Sequence, residues 1–384
     1  MSNSVPADRN PPREARDGYS PHSVRLAWML AAAYLLAIAY ASLQPFRDWR
    51  VPPPEILGFL AAPWPRYVTL QDIAVNVAAY APLGFLLAIG FSARGGAARG
   101  VVAAVTAGAA LSLAMELLQM FLPARIASNV DLLANTAGAL LGAVAAPLLA
   151  PGRIVGGRLH AARHRLFHEG MAADAGLVLV LIWLIAQFHP TTQPFGSGSL
   201  RATLDLPVYL AYTPAHALAG EAAVALFGVL GIGLLLAGFM RDPRRALSVT
   251  AAVAGAALVV KLVTAMALVR SPAPLAWLTP GVLAGLTAGF ALLYPALRLP
   301  REALPAVAAL CIVAATLAIN VAPDNPYQSV PARMLARGAS HFLNFTGIVR
   351  ALSELWPWFA AGLLVCVQFA RLRRWVRARR ADPI

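Results

Sequence analysis

The sequence predicts an all-α fold, a polytopic transmembrane helical bundle of about ten helices with both termini cytoplasmic. Three observations carry that expectation. Hydrophobic residues make up 59% of the 384 and charged residues only 12%, where soluble domains carry about a quarter. Mean hydropathy is +0.66. Finally, apolar runs long enough to cross roughly 30 Å of hydrocarbon recur along the chain, with Lys and Arg confined almost entirely to the connections between them. The net charge of +14 is therefore a matter of topology, and no nucleic-acid partner is expected. Cys311 and Cys366 each fall inside an apolar run, so both read as small core residues and neither a disulfide framework nor a cysteine metal site is expected.

Taken in order, residues 1–23 are rich in Pro, Arg and acids and read as a disordered cytoplasmic tail. Residues 24–43 form the first span. Its end, Ala39-Tyr40-Ala41, has the small-x-small pattern of a signal-peptidase site, but the length of the run and the tail before it favour a retained anchor. Residues 46–66, with five prolines and Trp49 and Trp64, read as an interfacial loop. Spans follow at 72–92, 100–122 and 131–150, closing a four-helix unit over 24–150. A basic cytoplasmic connection, 151–173, leads to a second transmembrane unit of about six helices over 174–372, with spans at 174–189, 215–240, 248–269, 280–297, 305–322 and 355–372. Residues 373–384 form a basic cytoplasmic tail.

Counted on alternate sides, one face of this topology holds more than twice as many basic residues as the other. By the positive-inside rule it is the cytoplasmic face. Trp49, Trp64, Trp277, Trp356 and Trp358 fall at the opposite face, where an aromatic belt belongs.

The stretch from Thr69 to Gly142 concentrates the unusual chemistry. Asp72, Asn76, Glu116, Gln119, Arg125, Asp131 and Asn135 sit in or beside apolar spans, where a charged side chain is unfavourable by roughly 2.5 kcal/mol or more without a partner or a wet pocket. At 1.5 Å per residue, Asn76 and Asn135 lie about 6 Å, and Glu116 about 9 Å, from their helix ends, in one layer of the outer leaflet. Asp72 and Asn76, Glu116 and Gln119, and Asp131 and Asn135 each share a helical face. These seven residues form a candidate polar pocket. Thr69-x-x-Asp72 and Ser128-x-x-Asp131 also fit capping boxes, an alternative use for the two aspartates that does not extend to Glu116 or the asparagines. Gly138-x-x-x-Gly142 predicts a close-packing face, and Pro82 a kink beneath the polar layer.

The run DIAVNVAAYAPLGFLL from Asp72, the run MELLQMFLPARIASNVDLLANTAGALLG from Met115, and Ser42-Leu43-Gln44-Pro45-Phe46 at the end of the first span resemble the VanZ-like membrane protein family. The resemblance covers about residues 24–149. It implies a multi-pass protein of the bacterial cytoplasmic membrane; the namesake member is associated with low-level resistance to the glycopeptide teicoplanin. It implies no settled biochemical activity and no cofactor.

In the second half, His216, Glu221 and Lys261 are ionisable groups within or near spans. Antiparallel neighbours can pair Glu221 with Lys261. His341 and Asn344 lie in a segment mixing aromatics with hydrogen-bonding groups. His160, His164 and His168 recur every four residues, a spacing that can ligate a metal, but Arg158, Arg163 and Arg165 repel a cation, and a basic amphipathic segment against anionic lipid is the better reading. No metal site is expected, nor is there a phosphate-cradling loop, an HExxH or a G-x-S-x-G.

Three functions compete. The first is a non-enzymatic protein whose outer-leaflet pocket binds a lipid-linked cell-wall component or the lipid-like part of a glycopeptide, with membrane lipids as its other partners. The second is an enzyme acting on a phospholipid or isoprenoid phosphate through paired carboxylates. The third is a proton-coupled transporter using Glu221 and Lys261.

Overall fold

The computed structural model describes residues 19, 21–43, 46, 48–64, 68–150, 152–189, 193–201, 204, 206–207, 209–268, 271, 273–323 and 340–381. Among these, regular structure is helical apart from an isolated bridge between Phe167 and Met240. Eight helical segments are long and apolar enough to cross a membrane. Large apolar side chains such as Leu36 (69% exposed), Val102 (66%) and Leu310 (69%) point outward from them. In water such faces would aggregate, and in a bilayer they are the solvated surface. The chain is a multi-pass membrane protein. It divides into two compact units, residues 1–163 and 164–384.

The first unit contains α1 (Pro21–Leu43), the single turn α2 (Gly58–Ala61), α3 (Leu70–Gln119), α4 (Asn129–Leu148) and most of α5 (Ile154–Leu166). α3 is two spans, Asp72–Ala93 and Gly95–Gln119. The chain reverses between them at Gly96, whose φ of 79° lies where a residue without Cβ is favoured. The helix continues through Pro82, and its non-helical backbone is at Gly96, in the connection expected between the two spans.

The expected glycine face is present and reciprocal. A Cβ on Gly138 would collide with the carbonyl of Val77, one on Gly142 with that of Ala81, and one on Gly84 with that of Ala139. Backbones this close trade side-chain volume for dispersion contact, the main attraction between helices in lipid. Around this seam pack Tyr80, Leu83, Leu87 and Ala88 of the first arm of α3, Met115 of the second, Ala143 and Ala146 of α4, and Ala27, Ala31 and Ile38 of α1.

The second unit contains α6 (Met171–Ala186), α7 (Pro214–Phe239), α8 (Ala246–Val263) with a π-helical turn at Thr264–Leu268, α9 (Pro280–Ala296), α10 (Leu304–Val321) and α11 (Ser340–Ala381). α7 is mostly buried. Its glycines receive neighbours: Gly231 faces Ile312 of α10, and Gly233 faces Leu293 of α9. At 16 and 17 residues, α6 and α9 span about 24 and 26 Å, shorter than the other apolar helices.

Three expectations are corrected here. The last span, expected to begin at residue 355, is already helical from Ser340, because 340–354 is rich in helix-compatible residues and carries an i,i+4 ion pair, Arg350 to Glu354 at 2.7 Å. Trp356 is no belt residue: it is 3% exposed, packs on Trp183 and donates to the Leu179 carbonyl at 2.6 Å. Cys366 is exposed on α11, whereas Cys311 is buried.

Gly142→Val should place a branched side chain against the Ala81 carbonyl and destabilise the first unit by about 1–3 kcal/mol or more. Gly362→Ala, where a Cβ meets nothing within 4 Å, should leave the protein unchanged. Thermal melts of the purified full-length protein, followed by size-exclusion chromatography, measure the contrast.

Candidate functional site

The predicted polar residues of the first unit gather where α1 ends, α3 starts and finishes, and α4 starts. The two similar helix openings are built differently. At Thr69 the capping box is complete: Asp72 N–H donates to Thr69 Oγ1 at 3.2 Å, and Thr69 N–H and hydroxyl donate to Asp72 Oδ2 at 3.0 and 2.8 Å. At Ser128 the hydroxyl again accepts from Asp131 N–H, at 3.4 Å. The Ser128 N–H, however, donates to Glu116 Oε2 at 2.8 Å, so a carboxylate from the facing arm of α3 takes the place of the local one. Asp131 is thereby available to accept from Asn76 Nδ2 at 2.8 Å, tying α4 to the first arm.

Two more predicted residues serve the end of α1, whose last carbonyls lack intrahelical donors. Gln119 Nε2 donates to Ser42 O at 3.0 Å and Arg125 Nη2 to Ala41 O at 3.2 Å. Burial pulls the Arg125 guanidinium below its ordinary pKa, but a guanidinium remains charged, and a cation at a helix C-terminus is favourable. The loop between α1 and α3 crosses this end of the unit: Arg50 N–H donates to Phe121 O at 2.8 Å, and Asn129 Nδ2 to Ala62 O at 2.7 Å.

Deeper in the same layer, Asn135 Nδ2 donates to Ser112 Oγ at 2.9 Å. Asn135 is 6% exposed, Ser112 0% and Tyr80 3%. Asn135 Oδ1 has no hydrogen-bond partner among the described residues, and the Tyr80 hydroxyl makes no well-formed one, with Ser112 as its near polar neighbour. An orphaned buried polar atom of this kind costs about 1–3 kcal/mol. Here one acceptor and one donor–acceptor are left over beneath a lid of chain.

The seven predicted residues take two bonding roles. Asp72, Glu116, Gln119 and Arg125 each bond backbone at helix ends. Asn76, Asp131 and Asn135 link helices through side chains. Tyr80 and Ser112 were not anticipated. Their signal is spacing, since Tyr80 is four residues after Asn76 and Ser112 four before Glu116, each on the same helical face as a residue already singled out.

The second-half candidates do not form one cluster with a common contact. Glu221 is 4% exposed and accepts from the Thr279 hydroxyl at the start of α9. Lys261 is also 4% exposed and donates to the His189 carbonyl at 2.5 Å. His216 is exposed in the first turn of α7, its Nδ1 3.0 Å from Ala211 O. His341 and Asn344 lie in the first turns of α11, with side chains outside the described residues. Of the histidine ladder, His164 meets Glu169 at 2.9 Å. His168 is held below its ordinary pKa by burial, then by Arg241, Arg301 and Arg371.

With this geometry in view, residues 22–150 match the VanZ/LLP1 family model, about a third of the chain. The match contains every residue of the polar layer. No curated protein and no solved structure matches the chain.

If Glu116 acts as the remote cap of α4, Glu116→Gln should retain most of the stability, because an amide oxygen still accepts from Ser128 N–H. Glu116→Leu should lose about 1–2 kcal/mol. Thermal denaturation of the purified full-length variants in one detergent tests the difference.

Proposed function

We propose that the VanZ-like unit is a binding module of the bacterial cytoplasmic membrane. In this reading its polar layer receives the head of a lipid-linked envelope component, or the lipid-like part of a glycopeptide, from the outer leaflet. The observation that carries the reading is Asn135 Oδ1, unpartnered among the described residues, together with the Tyr80 hydroxyl, which makes no well-formed hydrogen bond beside Ser112; both residues are more than nine-tenths buried between three apolar spans. A hydroxyl or amide of a headgroup supplies the missing hydrogen bonds to both. Asp131 lies one helical turn before Asn135, and Arg125 places a positive charge beside the layer that suits a phosphate or carboxylate.

The bonding pattern narrows the roles first assigned from sequence. Asp72 and Glu116 hold backbone N–H groups at two separate helix starts, which makes them positioning residues and favours binding over paired-carboxylate catalysis. In the second unit Lys261 and Glu221 each have a described partner other than the other, an arrangement that supports helix packing more directly than a proton relay.

Tyr80→Phe removes a buried hydroxyl that makes no well-formed hydrogen bond, so it should leave the melting temperature nearly unchanged while reducing the ligand retained. Asn135→Ala should retain less still. Mass spectrometry of the lipids that co-purify with full-length wild-type and variant protein reads this out. Identical lipid sets from equally folded proteins would defeat the reading. The same proposal places both termini in the cytoplasm and residues 46–64 outside it. Cysteines introduced singly at Trp64 and at Arg377 should then react with an impermeant maleimide on intact cells only at the former.

A further inference from the structure

At the opposite end of the first unit, between the start of α1, the Gly96 reversal and the end of α4, lies a cavity of about 1030 Å³. This is ample for a ligand headgroup. It shares no residue with the polar layer. We propose that it is a second site, for an anionic phospholipid: a phosphodiester headgroup without a compensating ammonium, held with its acyl chains along α1.

The charge of the site is one-signed. Arg25, in the first turns of α1, and Arg153, just past α4, both line the cavity, and among the described residues no aspartate or glutamate lines it. A zwitterionic headgroup would bring its own ammonium and meet no carboxylate there, whereas a phosphodiester alone satisfies both guanidiniums. The polar groups deeper in are already committed. The Tyr19 hydroxyl donates to Ala146 O, and the Ser92 hydroxyl to Ala88 O at 2.6 Å. Two arginines are thus the charged donors that face the space.

The walls argue for a lipid over a free anion. Trp28 is 37% exposed, and Met29 52%, about one turn into the α1 span. Trp28 is nevertheless fixed: its ring lies where a Cβ on Gly90 would be, and it meets Phe91 edge-on at 5.0 Å and 86°. A rigid apolar wall leading from two arginines into a membrane span matches a headgroup joined to an acyl chain. Basic pockets between transmembrane helices take anionic headgroups on the same physical grounds.

The test uses full-length protein reconstituted in nanodiscs containing phosphatidylglycerol and phosphatidylcholine, then washed in detergent, with retained lipid identified by native mass spectrometry. Wild type should retain phosphatidylglycerol selectively. Arg25→Gln and Arg153→Gln should each lower that retention by about fivefold, the effect expected of one basic residue near an anionic surface. Arg25→Lys and Arg153→Lys should keep most of it. Ala97→Phe, which fills the cavity without changing charge, should lower it too. Arg50→Gln, exposed at the other end of the unit, should change nothing. Equal retention of the two lipids by wild type, a loss in Arg50→Gln matching that in Arg25→Gln, or displacement of the lipid by millimolar inorganic phosphate would each overturn the proposal. Should a glutamine variant fold poorly by size exclusion, the lysine and Ala97→Phe variants decide the question.

Discussion

The hydrogen bond from the Ser128 backbone to Glu116 is the contact on which the polar end of the first unit depends. A helix start exposes N–H groups that nothing in hydrocarbon will satisfy. Local sequence offers Asp131 for that task, and the fold recruits a carboxylate from twelve residues upstream instead. The exchange has a structural consequence. Asp131, relieved of its own helix start, reaches Asn76 and joins α4 to α3. One acceptor supplied from across the bundle thus converts a capping residue into an interhelical link.

The same economy recurs at helix ends elsewhere. Arg125 and Gln119 close the carbonyl end of α1. In the second unit Arg201 donates to the carbonyls of Asn320 and Ala322 at the end of α10. There, Asn320 accepts from Leu200 N–H at 2.8 Å and donates to Gly198 O and Thr316 O, both at 2.7 Å. Much of the ionisable chemistry of this chain is thus architectural, answering backbone groups that water would otherwise serve. Against that background the uncompensated atoms stand out. Asn135 Oδ1 and the Tyr80 hydroxyl are the buried atoms of the polar layer without a well-formed hydrogen bond among the described residues, which is why they, and not the carboxylates, carry the functional reading.

Much of the fold was legible in the chain. Nine of the ten apolar runs are helices within about five residues of their expected bounds, because length and hydropathy are local properties and a bilayer enforces them. Gly138-x-x-x-Gly142 announced its close approach, since only a small residue permits it. The misplacements have equally physical causes. Trp356 carries the composition of an interfacial residue, yet Leu179 O happens to lie within reach of its indole, and burial follows. The start of α11 was obscured because residues 340–354 are polar enough to resemble a loop and helix-compatible enough not to be one.

The polar layer shows where local reasoning ends. Residue type, depth and helical spacing select seven residues and lead to the expectation that they share one level, because helix rise converts position in the chain into depth. By itself, then, the sequence determined that this is a multi-pass helical membrane protein with a cluster of costly polar groups in its VanZ-like segment. Only the tertiary structure decided which of them bond backbone, which bond one another, and which, with Tyr80 added, are left over. That partition depends on distances between helices brought together by a glycine seam, and no property of a single helix contains them.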